Sequence, residues 1–362
     1  MQVTNKPNRV DDLVRDFNPA WFAAIMGTAV IPLAVSFSSS PLVRPVSAFF
    51  IILAIVMFVA ALVPWVARFI RHPAAIGRDL DHPIAVNFFP TMPIALIILA
   101  LDFLKYPDLL LSAQASHNLA WYLWLLGSVG IYLGGFAVLG RIYQNPKITL
   151  PHANFGWYIP PVSKLLIPVA GFELAQHFPS RFELAFTVSV VSLGVGTLLF
   201  LFVGATVYQR YLLEPLPESR FAATAFIGIA PTAIIAVALS KLQNLLESGT
   251  PLMIDAAAVG ALSTITILAA WGFSVWAFSM ASILTIRHIT AKDLPYALSW
   301  WAFTFPSGAL AVASGIAWKV SGFESILWFY RATVLFMLIV WLLVTVRTVR
   351  AMISGSVFVA SH

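Results

Sequence analysis

Residues 182–208 read FELAFTVSVVSLGVGTLLFLFVGATVY, a run of 27 residues whose only charged side chain is Glu183. A helix of that length is about 40 Å long, enough to cross a hydrocarbon core about 30 Å thick. The run does not alternate apolar and polar residues in short pieces, as the strands of a membrane barrel do. Lipid offers backbone groups no hydrogen bonds, so a spanning segment is either a helix or part of a closed barrel, and this one reads as a helix.

The rest of the chain repeats the pattern. Of 362 residues, 60% are hydrophobic and only 10% charged, with a mean hydropathy of +0.89. A soluble domain carries about a quarter of its residues as charges. This chain has too few to cover a water-facing surface, so lipid must cover part of it. There is no cysteine, which excludes disulfides, thiolate metal sites and a thiol nucleophile. The net charge of +6 does not indicate nucleic acid, because the basic residues stand singly in short loops between apolar runs. The first apolar run is too long for the core of a cleavable leader and follows a mixed-charge tail, so no signal peptide is expected.

Apolar runs between charge and turn clusters predict ten spans: 17–37, 45–69, 83–103, 119–142, 155–174, 182–208, 221–239, 253–286, 296–318 and 326–346. Short connections make consecutive spans antiparallel hairpins. The expected organisation is one transmembrane domain over 17–347, with a cytoplasmic tail at each end, 1–16 and 348–362. Basic residues set the orientation. Fourteen, from Lys6 to Arg350, fall on the side of the N-terminus and five (Arg44, Lys105, Arg181, Lys241 and Lys319) on the other, while Lys164 and Arg331 lie within spans. That asymmetry puts both termini in the cytoplasm and requires an even number of spans.

Proline placement separates the spans into two sets. Pro32, Pro90, Pro93, Pro160, Pro161, Pro168, Pro231 and Pro306 all fall in odd-numbered spans, whereas the interiors of the even ones carry only Pro64, near the end of the second. An interior proline removes a backbone hydrogen bond and kinks the helix. In a bilayer the freed carbonyl needs protein or water, so the odd helices are expected to form an inner ring, kinked at Pro32, Pro90, Pro93, Pro161, Pro231 and Pro306.

Four segments give the chain a family likeness: Asn18–Phe22 running on to Met26, Gly27 and Thr28; His82, Pro83 and Asn87 to Phe89; Ala230 and Pro231; and Trp300 through Pro306. In their order and placement they resemble the tellurite-resistance/dicarboxylate transporter family. That family includes the bacterial TehA channels, the plant slow anion channels, and fungal malate and sulfite transporters. The resemblance implies five helical hairpins in quasi-fivefold arrangement around a central pore, assembled as a homotrimer, with an aromatic plug on the ninth helix. The matching position here is Phe305, beside Pro306; Phe303, two residues earlier, is its rival on another face.

A pore for anions must replace hydration water without holding the ion tightly. Gly27, Thr28, Gly228, Thr232, Thr304, Ser307 and Gly308 are the expected lining, since hydroxyls and kink-exposed amides donate weakly; small residues also mark close helix contacts. Lys164 is a candidate for attracting anions, the competing role being an ion pair with Glu173. Arg331 is expected to pair structurally, and Gly130 with Gly134 to mark packing. The histidines make no metal pair, and no nucleotide-binding motif is present, so no metal, cofactor or enzyme activity is expected. The expected function is passive passage of small anions through a Phe-gated pore in the inner membrane. The alternative is a proton-coupled carrier of four-carbon dicarboxylates using Asp102, Glu173 or His177, and a remote one is an intramembrane enzyme.

Overall fold

A computed structural model describes residues 9–82, 85–249 and 256–354. Lys6, His362 and most of both tails lie outside the described residues, as do Pro83 and Met253, where two spans were expected to begin. All regular structure among the described residues is helical. Two short helices, α1 (Arg9–Arg15) and α4 (Pro73–Asp81), lie outside the long apolar runs. The other ten are α2 (Trp21–Val35), α3 (Val43–Arg71), α5 (Thr91–Lys105), α6 (Ala113–Gln144), α7 (Ile159–His177), α8 (Phe182–Leu213), α9 (Ala230–Glu247), α10 (Ala256–Thr290), α11 (Thr304–Ser321) and α12 (Glu324–Ile353). Each overlaps one of the ten expected spans. Seven helical segments among the described residues are long and apolar enough to cross a membrane, so the protein is a multi-pass membrane protein.

Burial divides these helices as the prolines do. In the apolar stretches of α3, α6, α8, α10 and α12 only 17–33% of residues are buried. Their exposed side chains, among them Val59, Phe136, Phe202 and Leu342, form the apolar face that lipid covers. In the spans that contain α5 and α9 the buried share is 78% and 83%. Helices α2, α7 and α11 are likewise buried along most of their length. Each buried helix packs against the exposed helix that follows it, giving five pairs: α2 with α3, α5 with α6, α7 with α8, α9 with α10 and α11 with α12. The buried helices also pack on one another in chain order, α2 on α5, α5 on α7, α7 on α9, α9 on α11, and α11 back on α2.

Most of the prolines have a different role from the one expected. Pro32 and Pro168 are interior to α2 and α7. Pro90 is the N-cap of α5 and Pro93 lies in its first turn. Pro160 and Pro161 open α7, Pro231 opens α9, and Pro306 is the third residue of α11. These start helices rather than bend them, because the first turn has no intrahelical partner for the missing N–H. A 3-10 segment precedes each of these starts: Ala85–Phe88, Phe155–Tyr158, Ser219–Ile229 and Leu298–Phe303. The α-helical part of the buried spans is therefore short, 15 to 19 residues against 29 to 35 in the exposed set.

Two basic residues, one counted only as a topology charge and the other expected to pair within its span, make defined contacts. Arg68 is 4% exposed; its guanidinium binds Asp79 of α4 at 2.7 Å and the Arg15 carbonyl at 2.8 Å, fastening α1 and α4 to the end of α3. Arg331 lies over the Trp328 ring at 4.8 Å. On α6, Gly130 packs on Pro93 whereas Gly134 has open space beside it; the packing face is completed by Gly127 and Gly135.

Candidate anion pathway

All five buried spans line a cavity of about 360 Å³, and each reaches it along its length toward its C-terminal end. The C-terminal parts of all five meet at one end of it, near Phe37, Lys105, Glu173, Lys241 and Lys319, so they run in the same direction, as short antiparallel hairpins require. The cavity therefore opens on the face opposite the N-terminus of α2.

The lining is layered. Val30, Ile98, Leu166 and Ile234 stand 68 residues apart, one on each of α2, α5, α7 and α9, with Ala309 of α11 beside them. Three residues on, Leu33, Leu101, Val169 and Val237 keep the same spacing, with Val312. These positions are separated by three residues within each helix, so they share a face. The two layers are wholly apolar. The next layer is not: Phe37, Lys105, Glu173 and Lys241 continue the 68-residue spacing, and Lys319 supplies the fifth member.

Phe305 lies at the other end of the lining, on the first turn of α11, and is 6% exposed. It is held there because Gly27 of α2 packs directly on the Thr304 side chain and Gly308 on Val30, bringing α2 and α11 close together. Phe303 lies elsewhere. Its ring is edge-on to Phe226 at 4.9 Å, within a separate apolar cluster, and it does not line the cavity.

The seven small and hydroxyl residues expected to line the path are not in the cavity wall. Thr28 donates to the Ala24 carbonyl at 2.8 Å and accepts from the Trp341 indole of α12 at 3.1 Å. Thr232 meets Ser274 of α10 at 2.9 Å. Thr304 and Ser307 donate to the carbonyls of Trp301 and Phe303, both at 2.7 Å. Gly228 faces the Phe155 ring. A hydroxyl in a buried helix satisfies itself on the preceding turn or on a neighbouring helix, and a glycine permits close packing. These seven positions hold the buried helices to one another, to the outer helices and to the 3-10 segments.

Lys164 also stands apart from the cavity. Its ammonium donates to the Pro160 carbonyl at 3.1 Å and lies against Gly135 of α6, on the outer side of α7. Glu173 pairs with Lys241 of α9 instead of Lys164. The lysines of the mouth were visible in the sequence only as loop charges. Lys105 and Lys241 fall on the same 68-residue repeat as the lining, a signal that ties them to it, whereas Lys319 lies off the repeat.

Comparison with known proteins matches residues 16–349 to a family model described as SLAC1, voltage-dependent anion channel. The chain is 32% identical to an uncharacterized transporter of Methanocaldococcus jannaschii over 353 residues, 96% of each chain. A second uncharacterized transporter of that organism is 30% identical over 349 residues, 95% of this chain and 97% of the relative. A sulfite efflux pump of Arthroderma benhamiae is 22% identical over 326 residues, covering 85% of this chain and 84% of its own length.

Proposed function

This chain belongs to the SLAC1 voltage-dependent anion channel family, within the tellurite-resistance/dicarboxylate transporter group, and we propose that it conducts small anions passively through a path closed by Phe305. Movement of anions across a membrane follows from the family; the passive mode and the gate are our reading. Family membership also places the chain among channels and transporters rather than enzymes.

The observation that carries the reading is the cavity itself. Every buried helix lines it, three lysines stand at its mouth, and a single phenyl ring lies at its blind end. The apolar layers offer an anion no hydrogen bond, and the ring narrows the path where water would have to be shed without replacement. That desolvation costs on the order of several kcal/mol, and an apolar constriction of this kind also tends to dewet. A rotamer change at Phe305 or a small shift of α11 would lower both barriers.

In this reading all ten long helices cross the bilayer as five hairpins in quasi-fivefold arrangement, the short α2 and the less apolar α7 and α11 being shielded from lipid by their partners. The transmembrane domain covers 17–347, between cytoplasmic tails, in the inner membrane. Homotrimeric assembly is supported by the family resemblance. Sulfite is a candidate substrate because a relative is named a sulfite efflux pump.

A second reading is proton-coupled carriage of four-carbon dicarboxylates, favoured by Asp102. This residue of α5 is fully buried, with neither carboxyl oxygen hydrogen-bonded. Anion currents in planar bilayers separate the two. Currents that persist without a pH gradient support the passive path; transport that stops without one, and in Asp102→Asn, supports coupling.

A further inference from the structure

The charged layer at the cavity mouth contains, in ring order, Phe37, just past the end of α2, then Lys105, Glu173, Lys241 and Lys319, one from each of the other four buried helices. Three of the five are cationic, and the one acid is bound to one of the three cations. Among the described residues no carboxylate is paired with Lys105 or Lys319. Both flank the Phe37 ring, their ammonium groups 6.0 and 5.2 Å from its centre, so the two lie within about 11 Å of each other. Lys105 is also within electrostatic reach of Lys241 and Glu173, so the four charges act as one cluster.

The helices give this cluster a reason to exist. Five parallel helices turn their C-terminal, electronegative ends toward the mouth, a field that repels an approaching anion. The lysines reverse it locally. The Phe37 ring is neutral and accepts no N–H hydrogen bond as a carboxylate would, so the positive charges of the two ammonium groups near it stay uncompensated. Two neighbouring cations that repel each other leave room for a mobile anion between them.

We propose that Lys105 and Lys319, both beside the Phe37 ring, form an entry site for a small anion, and that Glu173 is a tethered counter-ion that keeps Lys241 out of it. The site prefers a doubly charged anion, which neutralises both ammonium groups, over a singly charged one. Glu173 sets the charge of the ring. Its carboxylate occupies the third lysine, so an anion captured at the first two is not held by all three and can move on toward Phe305. This inference rests on the anion path proposed above.

The test reads binding to the closed, detergent-solubilised full chain, so it does not depend on the gate. Thermal unfolding is followed while sodium sulfate is titrated, with sodium chloride at matched ionic strength as reference. Sulfate should raise the unfolding temperature of the wild type with a saturable midpoint, and chloride should do so only at higher concentration. In Lys105→Met/Lys319→Met the sulfate midpoint should rise by about tenfold or more, as loss of two nearby charges dictates. In Glu173→Gln it should fall several-fold. Lys105→Arg/Lys319→Arg keeps the charges and should stay near wild type, which separates loss of the site from damage to the fold.

A midpoint unchanged in the Met pair, or equal responses to sulfate and chloride, overturns the site. A midpoint unchanged or raised in Glu173→Gln overturns the counter-ion role. Binding that behaves as expected in a protein whose Phe305→Ala form does not conduct leaves the entry site standing and removes the channel reading.

Discussion

Glu173 and Lys241 form an ion pair although they lie 68 residues apart in the chain, at matching turns of the neighbouring helices α7 and α9. Their match is part of a repeat that runs through four of the five hairpins and fixes which face of each buried helix looks inward. The fifth hairpin, with α11, departs from the 68-residue spacing and carries the phenylalanine at the blind end. The regular spacing of the wall and the departure from it thus fall on different helices.

Gly27 tests the closeness of α2 and α11. Its Cβ position is occupied by the Thr304 side chain, so Gly27→Ala forces a shift in a packed contact and should destabilise the protein by about 1–3 kcal/mol. Thr304→Ala in the same chain should recover part of that loss. Thermal unfolding of the two single variants and the double variant, read as a cycle, checks the coupling; purely additive effects would mean that the two residues do not meet.

Thr232 and Thr28 distinguish packing from lining. Each hydroxyl bonds to an outer helix, so Thr232→Val should cost about 0.6 kcal/mol, the usual size of an interhelical hydrogen bond in a membrane, and leave anion selectivity unchanged. Reversal potentials under chloride and nitrate gradients, measured in a conducting background, provide the check. A shifted selectivity would place the hydroxyl in the path after all.

How far the sequence carries can be judged from these positions. The multi-pass helical class is legible because span length and charge are set by lipid, one segment at a time, and each expected span overlaps one long helix. The inner and outer sets are legible as well, since prolines cluster in helices that protein shields. What proline does in them is not: 3-10 segments precede most of the inner helices, and Pro90, Pro161, Pro231 and Pro306 mark starts that look like kinks when the whole run is read as one helix. Family likeness singles out Phe305, which lies in the cavity lining, whereas the hydroxyls at Thr28, Thr232, Thr304 and Ser307 bond to carbonyls or neighbouring helices away from that cavity. Which way a side chain on an all-apolar helix points depends on its neighbours, and a helix buried all round carries no amphipathic stripe to show it. The mouth lysines are missed for the opposite reason. They sit at helix ends, where a basic residue is ordinarily read as a loop charge.

Lys164 should be silent in transport. It is buried beside Gly135 and outside the cavity wall, so Lys164→Met should leave anion conductance within about twofold of its parent, because no charge is removed from the path. Removing a buried charge that has a single carbonyl partner should not lower thermal stability, as a methionine of similar length fills the space. A large fall in conductance with unchanged stability would assign the lysine to the pathway.

Orientation follows from the basic asymmetry. A reporter that is active only in the periplasm, fused after His362, should give no signal, and one fused in the loop after α5 should give a strong one. The opposite pattern would turn the cavity mouth toward the cytoplasm and reverse the direction of entry.

The most direct test of the account is the single-channel or macroscopic conductance of Phe305→Ala in planar bilayers, with Phe303→Ala beside it. Lowering the barrier by only about 1.4 kcal/mol raises flux about tenfold, and removal of the phenyl ring is expected to do at least that. Phe305→Ala should conduct anions strongly without a pH gradient while Phe303→Ala stays at the wild-type level. A correctly folded Phe305→Ala protein that conducts no more than wild type would contradict the gate.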